Sequence, residues 1–268
     1  MVPSIAGYRL EERLGGGGSG DVYRAKDERT GRIVAVKVLR DPRAVPELQR
    51  AMHVRHPHLV ELLEAATDSA AAYVVMEHLE GKNLRDVLDR HGPLDVPSAV
   101  AVLLPVLGAL HAAHGHGLVH GDLKPANVFV QRRGQGGARI QVLDLGGIAA
   151  APAAEVIVGS SAYLSPEQAA GEALDARSDV FGAAVLLVAL VTGRPPFASA
   201  NPVATAYATV HHPAPRLDDP RLEPVLAVAL AKPPGERFPT ASLLADALAA
   251  RVPEATLSAG VLSALATP

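Results

Sequence analysis

The apolar pattern of this 268-residue chain changes period once, at Glu77-His78-Leu79-Glu80-Gly81, and that change limits the folds open to it. Upstream, the signals are those of strands. Segments 8–14 and 22–26 read as two strands, and Arg29-Thr30-Gly31 as a turn. The β-branched run Ile33-Val34-Ala35-Val36-Lys37-Val38-Leu39 is a third strand, and Tyr73-Val74-Val75-Met76 is another. One short helical segment, 46–54, interrupts them. Downstream, helical patterning covers 84–88, 97–114, 180–191, 203–210, 222–231 and 241–248. Strands first and helices afterwards make an α+β chain, a small β-rich lobe followed by a larger helical one. No internal repeat offers another solution.

Composition narrows the setting. Hydrophobic residues make up 49% of the chain, enough to fill the cores of a two-lobed domain. A net charge of −3 argues against nucleic-acid or polybasic membrane affinity. There are no cysteines, so no disulfide framework is available and a reducing cytoplasm is the expected setting. The uncharged run 180–193 is shorter than the roughly 18 apolar residues that span a bilayer. No signal peptide or membrane segment is expected, and 251–268 reads as a tail of uncertain order.

Two features of the β-rich part carry chemistry. Leu14-Gly15-Gly16-Gly17-Gly18-Ser19-Gly20-Asp21-Val22 fits G-x-G-x-x-G-x-V, with Gly15, Gly17 and Gly20 at the motif positions. Glycine lacks a side chain, so such a loop can lay backbone N–H groups against phosphates. The second is Lys37, a lysine inside a strand that otherwise looks buried, where an ammonium needs a partner.

The helical part holds a complementary set. His120-Gly121-Asp122-Leu123-Lys124-Pro125-Ala126-Asn127 puts an acid, a lysine and an amide in one short loop, and Asp144 follows in Val142-Leu143-Asp144-Leu145-Gly146. Phosphoryl transfer uses a carboxylate to orient a hydroxyl, a cation near the moving phosphate and oxygen ligands for magnesium. Four histidines, His111, His114, His116 and His120, lie nearby. His111 and His114 can share a helical face, but no carboxylate or cysteine stands between them, and packing accounts for them without a metal.

Together these motifs resemble those of the bacterial eukaryotic-like (Hanks-type) serine/threonine protein kinases. Gly159-Ser160-Ser161-Ala162-Tyr163-Leu164-Ser165-Pro166-Glu167-Gln168 is similar to the family's G-T-P-x-Y-M-S-P-E-Q. Lys232-Pro233-Pro234-Gly235-Glu236-Arg237-Phe238 resembles its K-D-P-x-x-R-P element. The resemblance covers 8 to about 250 and implies a bilobal protein-kinase-like fold. Its implied divisions are an N-lobe and hinge over 1–79, a C-lobe over 80–250 and a tail over 251–268.

The resemblance also implies a site. ATP would bind between the lobes with Mg2+ or Mn2+, and a protein serine or threonine would accept the phosphate. Residues 14–20 (Leu14, Gly15, Gly16, Gly17, Gly18, Ser19 and Gly20) would cover the nucleotide. Val22, Ala35, Phe129 and Leu143, with Leu14, would sandwich the adenine. Met76 would guard the back of that pocket, and the backbones of Glu77 and Leu79 would bond the adenine edge. Lys37, steadied by Glu47, would hold the α- and β-phosphates. Asp122 would orient the acceptor, Lys124 would offset charge on the γ-phosphate, and Asn127 and Asp144 would hold the metal. An Arg237–Glu167 ion pair would be structural.

Departures from the family pattern open alternatives. His120-Gly121-Asp122 has glycine where most regulated kinases have arginine, and that triplet also occurs in aminoglycoside- and choline-kinase-like phosphotransferases. Glu47 follows Lys37 by only ten residues, about half the usual separation, so the helix carrying it must be short, with Pro46 at its start. Such a helix leaves room for a non-catalytic, ATP-binding pseudokinase. Leu145 stands where the family has phenylalanine, and Gly147 adds a residue after Gly146. Segment 147–159 contains no Ser, Thr or Tyr, which with Gly121 predicts a loop ordered by the packing of Ile148, Val156, Ile157 and Val158 rather than by phosphorylation. Ser160 is expected to contact Asp122 and Lys124.

Overall fold

The computed structural model describes residues 5–69, 71–133, 137–145 and 161–266. The first part is a five-stranded antiparallel sheet of β1 (Tyr8–Gly17), β2 (Gly20–Asp27), β3 (Ile33–Leu39), β4 (Leu62–Thr67) and β5 (Ala72–Glu77), in the order β1-β2-β3-β5-β4. The turn between β2 and β3 is built by Asp27, whose carboxylate accepts from the N–H groups of Arg29 and Thr30 and from the Thr30 hydroxyl. β3 is paired on both sides, which is why its sequence is an almost unbroken apolar run. Alternation sends Val34 and Val36 outward to a cluster with Ile5, Ala25, Tyr73 and Val75, while Ala35 joins the main core on the other face.

Between β3 and β4 lies α1 (Val45–Ala51), seven residues long, with proline at its start and Glu47 in its first turn. Leu48 and Ala51 are buried by packing against β4, and the helix stops within two turns. The chain then runs beside the second sheet, where Val60 N–H donates to Val142 O (3.0 Å) and Val142 N–H to His58 O (2.8 Å). That sheet is β6 (Lys82–Asn83), β7 (Val128–Arg133) and β8 (Gly137–Val142), all antiparallel. Residues 58–60, which lead directly into β4, thus tie the second sheet to the first.

The rest is helical: α2 (Leu84–His91), α3 (Val96–His114), α4 (Pro166–Ala170), α5 (Ala176–Thr192), α6 (Pro202–His211), α7 (Glu223–Ala229), α8 (Ala241–Arg251) and α9 (Ala259–Ala266). Every residue from 178 to 190 of α5 is buried, so its apolar residues run all round the helix without a polar face. Among the described residues α3 alone is long and apolar enough to cross a membrane, but 61% of it is buried against neighbours that include α5 and α8, as in a core helix. The tail is more ordered than its composition predicts. Val252 and Val261 are buried, and Ser98 Oγ accepts from Ser258 N–H (2.9 Å). α9 lies on α2 and β7, approaching His91 so closely that a Cβ on Gly260 would come within 2.8 Å of Nε2.

One polar network fixes the helical part. Arg237 (3% exposed) donates to both Glu167 oxygens at 2.7 and 2.8 Å, and to the carbonyls of Ala231, Arg177 and Lys232. Ser178 Oγ donates to Glu167 Oε1 at 2.6 Å. Both charges are therefore buried and fully partnered, the condition under which such a pair persists. Beside it, Lys232 Nζ stands 3.8 Å from the centre of the Phe197 ring and donates to Thr209 O, which tethers α6. Burial and the neighbouring Arg237 push Lys232 down to about 8.

Burial by itself pushes the Glu167 carboxyl up, but its bonds from Arg237 and Ser178 outweigh burial and the net direction is downward. A carboxyl depressed in the folded state contributes its stability above the ordinary value of 4.5 and loses it as pH falls through the folded value. Arg237→Ala strands a buried carboxylate and should cost about 3–5 kcal/mol. Thermal melting at pH 7 reads that loss, and Glu167→Gln should flatten the decline in Tm below pH 4.5.

Candidate active site

Lys37 is the sole ammonium on β3 and is 6% exposed. Its Nζ lies 2.8 Å from Asp144 Oδ1, so a strand of the first sheet delivers its cation to a carboxylate just beyond β8. Asp144 holds φ at +60°, an unusual backbone for a residue with a Cβ and one that clusters at working sites. Burial pushes its carboxyl up, but Lys37 first, then His120 and Lys124, bring it below the ordinary value of 3.8. The carboxylate is therefore ionised at neutral pH.

The expected Lys37–Glu47 pair is not formed, and Glu47 makes no ion pair among the described residues. The physical reason lies in α1. Glu47 sits in the first turn of a seven-residue helix whose packing is set by Leu48 and Ala51, while Asp144 satisfies the lysine from the opposite side of the cleft.

The loop 120–127 hangs from a carboxylate that the sequence reading did not single out. Asp179, in the first turn of α5 and 1% exposed, accepts from His120 N–H and Gly121 N–H, both at 2.8 Å, and bonds His114 Nε2 at 2.7 Å. The available signal was Arg177-Ser178-Asp179-Val180-Phe181, a family-like run that opens an apolar helix, with no role assigned to its carboxylate. Gln168 Nε2 donates to Gly121 O at 2.5 Å, which joins α4 to the same loop. His120 is fully buried. Its Nδ1 accepts from Asp122 N–H and its Nε2 therefore carries the hydrogen donated to Leu143 O.

Around Asp122 the groups converge. Lys124 Nζ is 2.6 Å from Asp122 Oδ2, and Asn127 Nδ2 donates to Asp122 O (2.8 Å) and Oδ2 (3.1 Å). Leu143 N–H donates to Asn127 O, so the loop and the residue before Asp144 move together. Both Asn127 side-chain bonds use Nδ2, which leaves its Oδ1 able to serve, with the Asp144 carboxylate, as an oxygen ligand. One amide oxygen and one carboxylate suit Mg2+, a hard cation that keeps waters and takes further ligands from substrate phosphates.

The sequence-predicted adenine pocket is brought together in part. Met76 (7% exposed) pairs across the sheet with Ala35 and Leu62, and Val22 stands opposite Lys37. Leu79, Phe129 and Leu143 are half-buried, while Leu14 is 46% exposed at the mouth. Glu77 contributes more than its backbone. Its carboxylate accepts from Glu61 N–H (3.0 Å) and from the fully buried Gln141 Nε2 (2.8 Å). In the glycine hairpin, Gly15 pairs with Val22 and Gly17 with Gly20. Gly20, at φ +156°, packs so tightly on β3 that a Cβ would meet Val38 O at 2.1 Å. Ser160 and the segment 146–159, including Gly146, Gly147 and the loop residues expected to pack, lie outside the described residues.

The family model for the protein kinase domain matches residues 8–245. The serine/threonine-protein kinase PknB of Mycolicibacterium smegmatis is 39% identical over 88% of this chain and 41% of its own length. PknB of Mycobacterium tuberculosis is 37% identical over the same shares. A probable PknB of Corynebacterium glutamicum is 34% identical over 89% of this chain and 41% of its own length. The chain thus spans about two fifths of the length of these relatives.

Asp179→Asn tests the suspension of the loop. The amide would turn one donor group toward partners that are themselves donors, leaving a buried N–H unpaired at a cost of about 1–3 kcal/mol. Tm should fall, and amide exchange at 120–127 should accelerate more than exchange in the first sheet. Equal acceleration everywhere would mean that Asp179 supports the fold as a whole rather than this loop.

Proposed function

The chain belongs to the protein kinase domain family, and from that premise we propose that it transfers the γ-phosphoryl group of ATP to serine or threonine hydroxyls of proteins. The observation that carries this reading is the meeting of Lys37 and Asp144 across the cleft, beside Asp122, Lys124 and Asn127. The names of the relatives, serine/threonine-protein kinases, support the acceptor class. ATP as donor places the reaction in the cytoplasm.

Each residue has a role in this reading. Asp122 orients the acceptor hydroxyl and takes its proton, held in place by the two bonds from Asn127. Lys124, now paired with Asp122, offsets charge on the moving phosphoryl group. Lys37, paired with Asp144 in this structure, binds the α- and β-phosphates. Asn127 Oδ1 and the Asp144 carboxylate hold Mg2+, which when bound neutralises charge on the phosphates; Mn2+ suits the same ligands. Met76, Ala35, Val22, Leu79, Phe129 and Leu143 enclose the adenine, with backbone bonds at Glu77 and Leu79. Positioning and charge stabilisation then account for most of the acceleration.

The finer proposal is that activity does not depend on phosphorylation of the loop after Asp144. Gly121 supports it, because it holds φ +68°, where an arginine would be strained. Its N–H is also committed to Asp179. No cation stands at that position to receive a phosphate, and 147–159 has no hydroxyl to carry one.

Incubation with labelled ATP, Mg2+ and a basic test protein should yield phosphoserine or phosphothreonine, with no turnover of aminoglycosides or choline. Asp122→Asn should lower the rate by roughly 10²-fold or more while the fold persists. Nucleotide binding without transfer would instead make the protein a scaffold. Phosphatase-treated and untreated enzyme should show the same initial rate with no lag, and a severalfold rise after autophosphorylation within 147–161 would refute loop independence.

A further inference from the structure

Arg40 lies one residue beyond β3 and bonds three successive carbonyls of the glycine hairpin. Its guanidinium Nη1 donates to Gly17 O and to Gly18 O (3.0 Å), and its backbone N–H donates to Ser19 O (3.2 Å). The same guanidinium is 3.6 Å from Asp21 Oδ2, whose other oxygen is gripped by Arg13 at 2.6 Å. Arg13's bonds hold the Asp21 carboxyl below its ordinary value, so that charge is present at neutral pH and already neutralised.

Direction follows from alternation along β3. Val34, Val36 and Val38 face the outer cluster, and Ala35 and Leu39 face the core on the Lys37 side. Arg40 continues the outer phase, so it draws the hairpin carbonyls outward. All described peptide bonds are trans, and in a trans peptide the N–H points opposite to the preceding C=O. Pinning Gly17 O and Gly18 O on the outer side therefore turns the N–H groups of Gly18 and Ser19 inward, toward the side that carries Lys37. Two successive backbone N–H groups so aimed form a concavity for an anion. A glycine-rich turn left to itself samples both peptide orientations, and half of those would present carbonyl oxygens to a phosphate.

We propose that Arg40 is a positioning residue for nucleotide phosphates, holding the glycine hairpin with its N–H groups toward the cleft and its carbonyls away from it. It touches no substrate atom and acts through the backbone of Gly17, Gly18 and Ser19. The inference rests on the reading of the cleft as an ATP site.

The test separates phosphate from adenine. Calorimetric titration with MgADP and with adenosine compares the unaltered protein with Arg40→Ala and Arg40→Lys. Arg40→Ala should weaken MgADP by about tenfold, the equivalent of one lost charge-assisted contact, and leave adenosine within about twofold. Arg40→Lys, which keeps a donor, should recover part of the loss. Amide exchange at 15–20 should quicken in Arg40→Ala with Tm nearly unchanged, because Arg40 is a surface residue. Equal weakening of adenosine, or no weakening of MgADP, would overturn the proposal. Unaltered protein that binds MgADP in an Arg40-dependent way but transfers no phosphate would refute the kinase reading and leave the role of Arg40 standing. If it binds no nucleotide at all, both fall.

Discussion

A buried carboxylate with three donors around it determines where the loop 120–127 can be. Asp179 is fixed by α5, a helix buried on every side, and at 1% exposure its oxygens need hydrogen-bond partners. They are filled by His114 and by the two N–H groups at the head of the loop, His120 and Gly121. The loop therefore inherits the rigidity of a helix buried at every residue from 178 to 190. From His120 the constraint passes to Leu143 O, and through Asn127 to Leu143 N–H, so that Asp144 and Asp122 are held by one framework. The unusual backbone of Asp144 is sustained by these bonds and by Lys37.

Much of this was legible from residue types alone. A lysine in an apolar strand implied a partner, and one exists. The resemblance supplied Glu167–Arg237, 70 residues apart, because the two motifs that carry them are distinctive. What stayed illegible was choice among partners. The resemblance paired Lys37 with Glu47, whereas the short α1, packed through Leu48 and Ala51, leaves the lysine to Asp144. Asp179 and Gln168 stand in family-like runs, but their support of the loop was not legible, since it is made largely through the backbone groups of His120 and Gly121. β4 escaped for a similar reason: Leu-Leu-Glu-Ala-Ala-Thr has helix-forming residues, and pairing with β5 overrides that preference.

Polar contacts also decide how freely the two parts move. The first sheet is joined to the second through the backbone bonds of 58–60 with Val142 and through the bond from Gln141 to Glu77. These lie behind the cleft, while the Lys37–Asp144 pair lies inside it. A nucleotide that takes Lys37 for its phosphates exchanges the inner contact and leaves the rear ones in place. The rear contacts are thus suited to act as a hinge.

The docking of the tail onto Ser98 has a consequence for the chain on the ribosome. Ser98 bonds Thr256 and Ser258, 158 and 160 residues further on, near the head of the long apolar helix α3. At about 5–20 residues per second, translation takes roughly ten to thirty seconds to supply that cover. During that interval the start of α3 has been synthesised but its final neighbours, α8 and the tail, have not. Until α8 and the segment around Ser258 are made, the head of α3 lacks the cover it has in the folded chain and stays open to misassembly.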